Sequence, residues 1–311
     1  MRQLAISYMA QLILLPAQTR GDSSLVIPTI FITLALDLAG AALTPEVYAG
    51  RSNHDMPLLR ILISLAYLNQ VWSMSIMSFS NVPYWSICYE MWYYILFAIL
   101  LFTKAKLRIT LLLLCAILIG PKILLLAPIW LLGVFLQRNK RLQQLHPWQA
   151  WFLFLISWPL YGLYLKTGVN SLVHQWLLGV LGQGAEKFLG YSHYFLTDYL
   201  LAIIVAANFV GARGIARHFG PILLPCEQQI RRLSAYTFSI YLLHMPFILF
   251  YMALFNEQPG PLFAAKVLAA SLFSIVLVSK VTEQQRHRWR APIQRWLSAL
   301  RSTSLFARLG T

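Results

Sequence analysis

Apolar runs of about 20 residues recur from one end of the chain to the other, separated by short polar or basic stretches. A membrane-spanning helix needs roughly 20 largely apolar residues. On that pattern, spanning segments are expected near 3–19, 25–43, 58–79, 84–103, 107–120, 123–136, 148–165, 194–212, 234–255 and 262–281. The predicted fold class is therefore all-α, a polytopic integral membrane helical bundle of about ten transmembrane segments. The runs at 107–120 and 123–136 are short, and Gly120-Pro121-Lys122 between them would break a single helix, which leaves two short spans or one re-entrant unit. The more polar stretch from Lys166 to His193, with His174, Glu186 and His193, reads as a loop. Residues 1–281 form one integral domain and residues 282–311 a basic tail.

Composition agrees with this pattern. Hydrophobic residues make up 59% of the 311 and charged residues 11%, where a soluble domain is roughly 45–50% apolar. Mean hydropathy is +0.63. The net charge of +15 raises nucleic acid as a partner, but the basic residues fall in short clusters between apolar runs: Lys104, Lys106 and Arg108; Arg138, Lys140 and Arg141; Arg213, Arg217, Arg231 and Arg232; and the tail from Arg286 to Arg308. Positive-inside bias accounts for that spacing and makes the clusters cytoplasmic. No nucleic-acid partner is expected. Both termini fall on the cytoplasmic side, and Trp85 to Glu90 lies toward the outer face. In the tail, Trp289, Ile293, Trp296, Leu297 and Leu300 recur at helical spacing among arginines, the pattern of an interfacial helix drawn to anionic membrane lipids.

Several chemistries find no support. Cys88, Cys115 and Cys226 are far apart and form no CxxC pair, so neither a disulfide framework nor a metal site is indicated. HExxH, Gly-x-Ser-x-Gly and Gly-x-x-x-x-Gly-Lys are missing, which argues against a metalloprotease, a serine hydrolase and a P-loop ATPase. The start, Met1-Arg-Gln-Leu-Ala, leads into a run without a small-residue cleavage site, so the first helix is expected to stay in the membrane. His54-Asp55 reads as an isolated pair in a loop.

Two stretches carry candidate chemistry. From Asn81 to Tyr94, a carboxylate, Glu90, stands among six aromatic residues at the start of an apolar run. An ionisable group in hydrocarbon costs roughly 2.5–3.5 kcal/mol on insertion scales and so marks a bundle interior or a wet cavity. Ser86 and Glu90 are four residues apart, on one helical face. A purely structural alternative makes Ser86 a helix cap and the aromatics an interface belt. From Leu233 to Pro246, Thr237, Tyr241 and His244 share a face, which aims a hydroxyl, a phenol and an imidazole into the bundle.

Together the two stretches resemble the membrane acyltransferase-3 family. The pattern Asn-x-Pro-x-Trp-Ser-x-x-x-Glu-x-x-x-Tyr over Asn81 to Tyr94 is followed about 140 residues later by Ser-x-Tyr-Thr-Phe-Ser-Ile-Tyr-Leu-Leu-His over Ser234 to His244. The family's Trp-Ser-Leu-Ser-x-Glu signature falls on Trp85 to Glu90, with Ile87 and Cys88 in place of Leu and Ser. Its late Tyr-Ser-x-Tyr-Leu-x-His element falls on Phe238 to His244. The resemblance implies an inner-membrane, multi-pass enzyme of about ten helices that moves an acyl group, acetyl or similar, from acyl-CoA to a sugar hydroxyl. The acceptor it implies is a surface polysaccharide, lipopolysaccharide or another lipid-linked or exported glycan, with no bound cofactor. It makes His244 and Glu90 the catalytic candidates, gives Ser86, Tyr89 and Tyr241 to the acceptor, and leaves the rings of Trp85 and Trp92 for a sugar or the thioester. Arg60 and the Lys104 to Arg108 cluster are candidates for coenzyme A phosphates. The family's first-helix histidine and its Arg-x-x-Arg element have no counterpart, Arg2 being the one remnant and Ala5 standing where the second arginine would fall. That departure implies a chain beginning after the family's first helix, or one that has lost part of the machinery. A glycan or lipid flippase, and an inactive remnant, are the alternatives.

Overall fold

The computed structural model describes residues 22–282; the run at 3–19 and the amphipathic tail fall outside the described residues. In chain order the main helices are α1 Asp22–Leu43, α2 Pro57–Leu65, α3 Tyr84–Phe102, α4 Ala105–Ile119, α5 Pro121–Arg138, α6 Pro147–Thr167, α7 Val169–Leu181, α8 Phe195–Leu223, α9 Thr237–Phe255 and α10 Pro261–Val281. Proline opens α2, α5, α6 and α10, at the position where its missing N–H costs no helical bond. No strand forms among the described residues. Among the described residues six stretches are long and apolar enough to cross a membrane: Val26–Leu43, Tyr84–Phe102, Pro121–Arg138, Gly184–Ala216, Thr237–Phe255 and Pro261–Val281. A seventh arises if α6 and α7, bent by 54° at their junction, make one span.

The fold is the all-α membrane bundle expected, but the described residues supply six or seven spans of the ten counted in the sequence. Three segments account for the difference in reading. Residues 58–79 do not cross: α2 is 9 residues long, and the chain then runs irregularly to α3. Side chains take over the hydrogen bonding there. Asn69 Nδ2 donates to Ser64 Oγ at 3.0 Å and to Ile76 O at 3.1 Å, Ser64 and Ser78 hydroxyls meet at 2.7 Å, and Tyr84 Oη donates to Ser64 O at 2.9 Å. Irregular backbone is tolerated at such depth only when buried in protein, and Ser64, Asn69 and Ser78 are buried. The run at 107–120 becomes α4, whose 15 residues span about 22 Å, short of the roughly 30 Å hydrocarbon layer. The stretch from Lys166 to His193 is helical rather than a loop, because Gly168 takes φ +59° at the end of α6 and lets α7 start at once.

The described chain divides into two compact units. The first contains residues up to 69, 76–112 and the chain from 233, and hence α1, α2, α3, α9 and α10. Its core joins Val26 and Ile30 of α1, Tyr84 and Ile87 of α3, Leu242, Leu243 and Phe247 of α9, and Ile275 of α10. Two polar links set the register of α1 on α9. Asn81 Nδ2 reaches both Thr33 Oγ1 (3.3 Å) and Leu242 O (2.9 Å), and Thr44 Oγ1 donates to Ala253 O at 2.9 Å. Each link joins positions 209 apart in sequence, so α1 and α9 run parallel and in step.

The second unit contains residues 70–75 and 113–232. Its main contact is α6 on α8, where Gly211 and Gly214 lie against Ala150 and Phe154, and Asn208 Nδ2 donates to Ser157 Oγ at 2.9 Å. Small residues let membrane helices approach this closely. A Cβ on Gly211 would come within 2.5 Å of Phe154 N and 2.8 Å of Ala150 O, both backbone atoms that cannot rotate away. Gly211→Val should therefore destabilise this unit by about 1–3 kcal/mol or more, read as a lower melting temperature in detergent. Gly133→Val, with open space at its Cβ position, should not.

Candidate functional site

The two motif stretches meet in the first unit. α3 begins at Tyr84 after Pro83, and Ser86 Oγ donates to Pro83 O at 3.1 Å instead of capping a helix N–H. Ser86 is thus not the cap that a structural reading would make it. Its oxygen lies 2.5 Å from Tyr241 Oη of α9, which in turn is 3.2 Å from Pro83 O. Pro83 O also faces the Ser86 amide at 3.3 Å, so two hydroxyls from different helices gather on a carbonyl at the first turn of α3. One turn along α3, Glu90 is half-buried and accepts Tyr94 Oη on Oε1 at 2.6 Å.

His244 lies one turn beyond Tyr241, with ring centroids 6.5 Å apart. Its Nδ1 is 2.9 Å from Tyr241 O and 3.2 Å from Ile240 O. Only a protonated nitrogen satisfies those carbonyls, so Nε2 is the nitrogen left to take or give a proton. No hydrogen bond joins Glu90 to His244 among the described residues. The remaining aromatic candidates divide. Trp85 is half-buried and meets Tyr89 edge to face at 5.1 Å. Tyr89 and Trp92 are 2% and 8% exposed, packed inside the helix interface, with Trp92 Nε1 donating to Tyr67 O at 2.9 Å.

A second carboxylate, not singled out in the sequence, lies on α1. Asp37 is fully buried: Oδ2 accepts Ser52 Oγ (2.5 Å) and Ser80 N (2.8 Å), and Oδ1 accepts Ser80 Oγ (2.5 Å). His54 Nε2 stands 3.7 Å from Oδ2 and 3.3 Å from Ser52 Oγ. His54 is therefore not an isolated loop residue. Ser80 directly precedes the Asn81 that ties α1 to α9, so Asp37 also fixes the strap leading into α3. The rule that flagged Glu90, a lone carboxylate in an apolar run, applies equally to Asp37.

Arg60 has a structural place. It donates Nη2 to Asp55 Oδ1 at 2.5 Å, Nε to Asp55 O at 2.9 Å and Nη1 to Met77 O at 2.9 Å, in the strap before α3. Lys104 and its neighbours stand past the far end of α3, 19 residues on, so Arg60 does not join them in one phosphate site. In the second unit, His174, His193 and Tyr194 form an edge-packed group with centroids 4.0 to 5.1 Å apart, and Glu186 Oε1 is 3.8 Å from His174 Nε2.

A family model described as an acyltransferase domain, the acyltransferase-3 type, matches residues 21–280. No curated protein and no solved structure matches the chain.

Proposed function

The chain belongs to the acyltransferase-3 family of membrane acyltransferases, and from that premise we propose that it transfers an acyl group, acetyl or similar, from acyl-CoA to a hydroxyl of a surface polysaccharide, lipopolysaccharide or other exported glycan at the inner membrane. The observation that carries this reading is the meeting of Ser86 and Tyr241, two hydroxyls 2.5 Å apart, with the Glu90 carboxylate one helical turn from Ser86. Such a group suits a polyhydroxy acceptor. Oε1 of Glu90 is taken by Tyr94, and Oε2 remains to accept a sugar hydroxyl. Trp85, half-buried beside Ser86, offers a flat face for the ring.

Acyl transfer removes a proton from the attacking hydroxyl, stabilises an oxyanion and delivers a proton to the leaving sulfur. His244 presents Nε2 for one of the two proton transfers. A Ser86 or Tyr241 hydroxyl turned away from Pro83 O can donate to the oxyanion or the acceptor. Positive-inside bias puts the Lys104, Lys106 and Arg108 end of α3 in the cytoplasm, beside the donor, and the Ser86 end toward the acceptor.

The test is transfer of label. Membranes containing the chain, given acetyl-CoA labelled in the acetyl group, should transfer label to glycan in a form that mild base releases, as an ester requires. Glycan that crosses the membrane unlabelled would replace this reading with a flippase.

A further inference from the structure

Resting on the acyl-transfer reading, the geometry points to His54 as the base that takes the proton of the acceptor hydroxyl, with Asp37 as its positioning residue. Three features of the first unit carry this. Asp37 is a fully buried carboxylate whose hydrogen-bond partners are hydroxyls and one amide, with no Lys or Arg among them. Ser52 and Ser80 alone would not need a charge there. His54, at 3.7 Å, is the one basic side chain within ion-pair distance among the described residues, and its side chain is 30% exposed where Asp37 is closed off. The edge of the ring that faces inward is Nε2, toward Ser52 and Asp37. Ser52 Oγ donates to Asp37 and accepts from Nε2–H, so Nδ1 is left as the acceptor and makes no hydrogen bond among the described residues. A buried carboxylate that fixes the tautomer and holds an imidazole ready for a proton is the arrangement that base catalysis uses. The other charged groups of the strap are engaged elsewhere: Arg51 on Val47 O, and Asp55 with Arg60.

Register brings this pair to the motif residues. Because α1 and α9 run in step with an offset of 209, Asp37 is level with Pro246. His244 is two residues from that level and Tyr241 five, about 3 Å and 8 Å along the axis at 1.5 Å per residue. His54, Asp37, His244 and the Ser86 and Tyr241 pair therefore follow one another along the first unit. His54 stands at the end of this file that opens on the strap, the acceptor side. As the acceptor oxygen bonds to the thioester carbonyl carbon, its proton passes to His54 Nδ1. When the C–S bond breaks, the sulfur takes the Nε2 proton of His244, which enters the step protonated on both nitrogens, and the products are an ester and a free thiol. His54 then releases its proton to water and His244 regains one.

The experiment measures acetyl transfer from labelled acetyl-CoA by the full chain in membranes, with the parent, His54→Ala and Asp37→Asn compared at equal folded amounts. His54→Ala should lose about 10²–10⁴-fold, and added imidazole should restore part of the rate. Asp37→Asn should lower kcat while leaving the KM for the glycan near that of the parent. A parent-like rate in His54→Ala overturns the assignment and leaves the acyltransferase reading standing. So does a loss that imidazole does not relieve, which would give His54 a merely structural role. A parent that transfers no label overturns the acyl-transfer reading and the base assignment with it.

Discussion

Replacing His244 with Gln should lower acyl transfer by about 10²–10⁴-fold, the usual yield of a positioned acid or base, while the chain remains folded in the membrane. Nδ1 of His244 bonds only to carbonyls of its own helix, at 2.9 and 3.2 Å, and those carbonyls keep their helical partners when the ring is lost. A glutamine amide can still donate to them. What it cannot do is exchange a proton at the position of Nε2. The variant should therefore separate chemistry from structure, with an unchanged melting temperature, unchanged binding of glycan and a collapsed turnover. The check is steady-state transfer of labelled acetyl beside a thermal melt in detergent. Full activity would remove His244 from the mechanism and leave Glu90 and Tyr241 as acceptor contacts alone.

The class of the fold was legible from hydropathy because a bilayer demands helices with apolar flanks, and α1, α3, α5, α9 and α10 all fall where the runs predict them. The segment at 58–79 was misread for a physical reason. Its apolar residues are numerous enough for a span, yet Asn69, Arg60 and Trp92 donate to carbonyls of an irregular backbone, and a hydropathy window does not register hydrogen bonds. The candidate site was partly legible. Ser86 and Tyr241 come from motifs 155 residues apart and do touch. Glu90 and His244 are not bonded to each other, and nothing in the spacing of the two stretches could have said so. Asp37 was visible as a charge in an apolar run, but its histidine lies 17 residues away across a loop, a contact that only the fold can make.

Asp37 should also be a sensitive position for stability, and the choice of substitution decides the outcome. Asp37→Leu removes the acceptor for Ser80 N, Ser80 Oγ and Ser52 Oγ together. The hydroxyls can turn toward other oxygens, but the Ser80 amide is fixed in a buried strap, and an unsatisfied buried donor costs about 1–3 kcal/mol. The leucine must in addition fill a space shaped by a shorter polar group, so a loss of at least about 2 kcal/mol is expected. Hydropathy argues the opposite, since exchanging a carboxylate for leucine favours insertion by roughly 2.5–3.5 kcal/mol. The two effects belong to different steps. Insertion compares the helix in water with the helix in lipid, whereas the hydrogen bonds of Asp37 form only when α1 meets the strap before α3. Asp37→Leu should thus insert at least as well as the parent and still unfold at a lower temperature in detergent. Asp37→Asn keeps one acceptor for the Ser80 amide and turns an NH₂ toward the serine oxygens, which can accept as readily as donate, so its melting temperature should stay close to that of the parent. Equal melting temperatures for the Leu and Asn variants would mean that the strap is held without Asp37, and that the buried carboxylate serves its histidine alone.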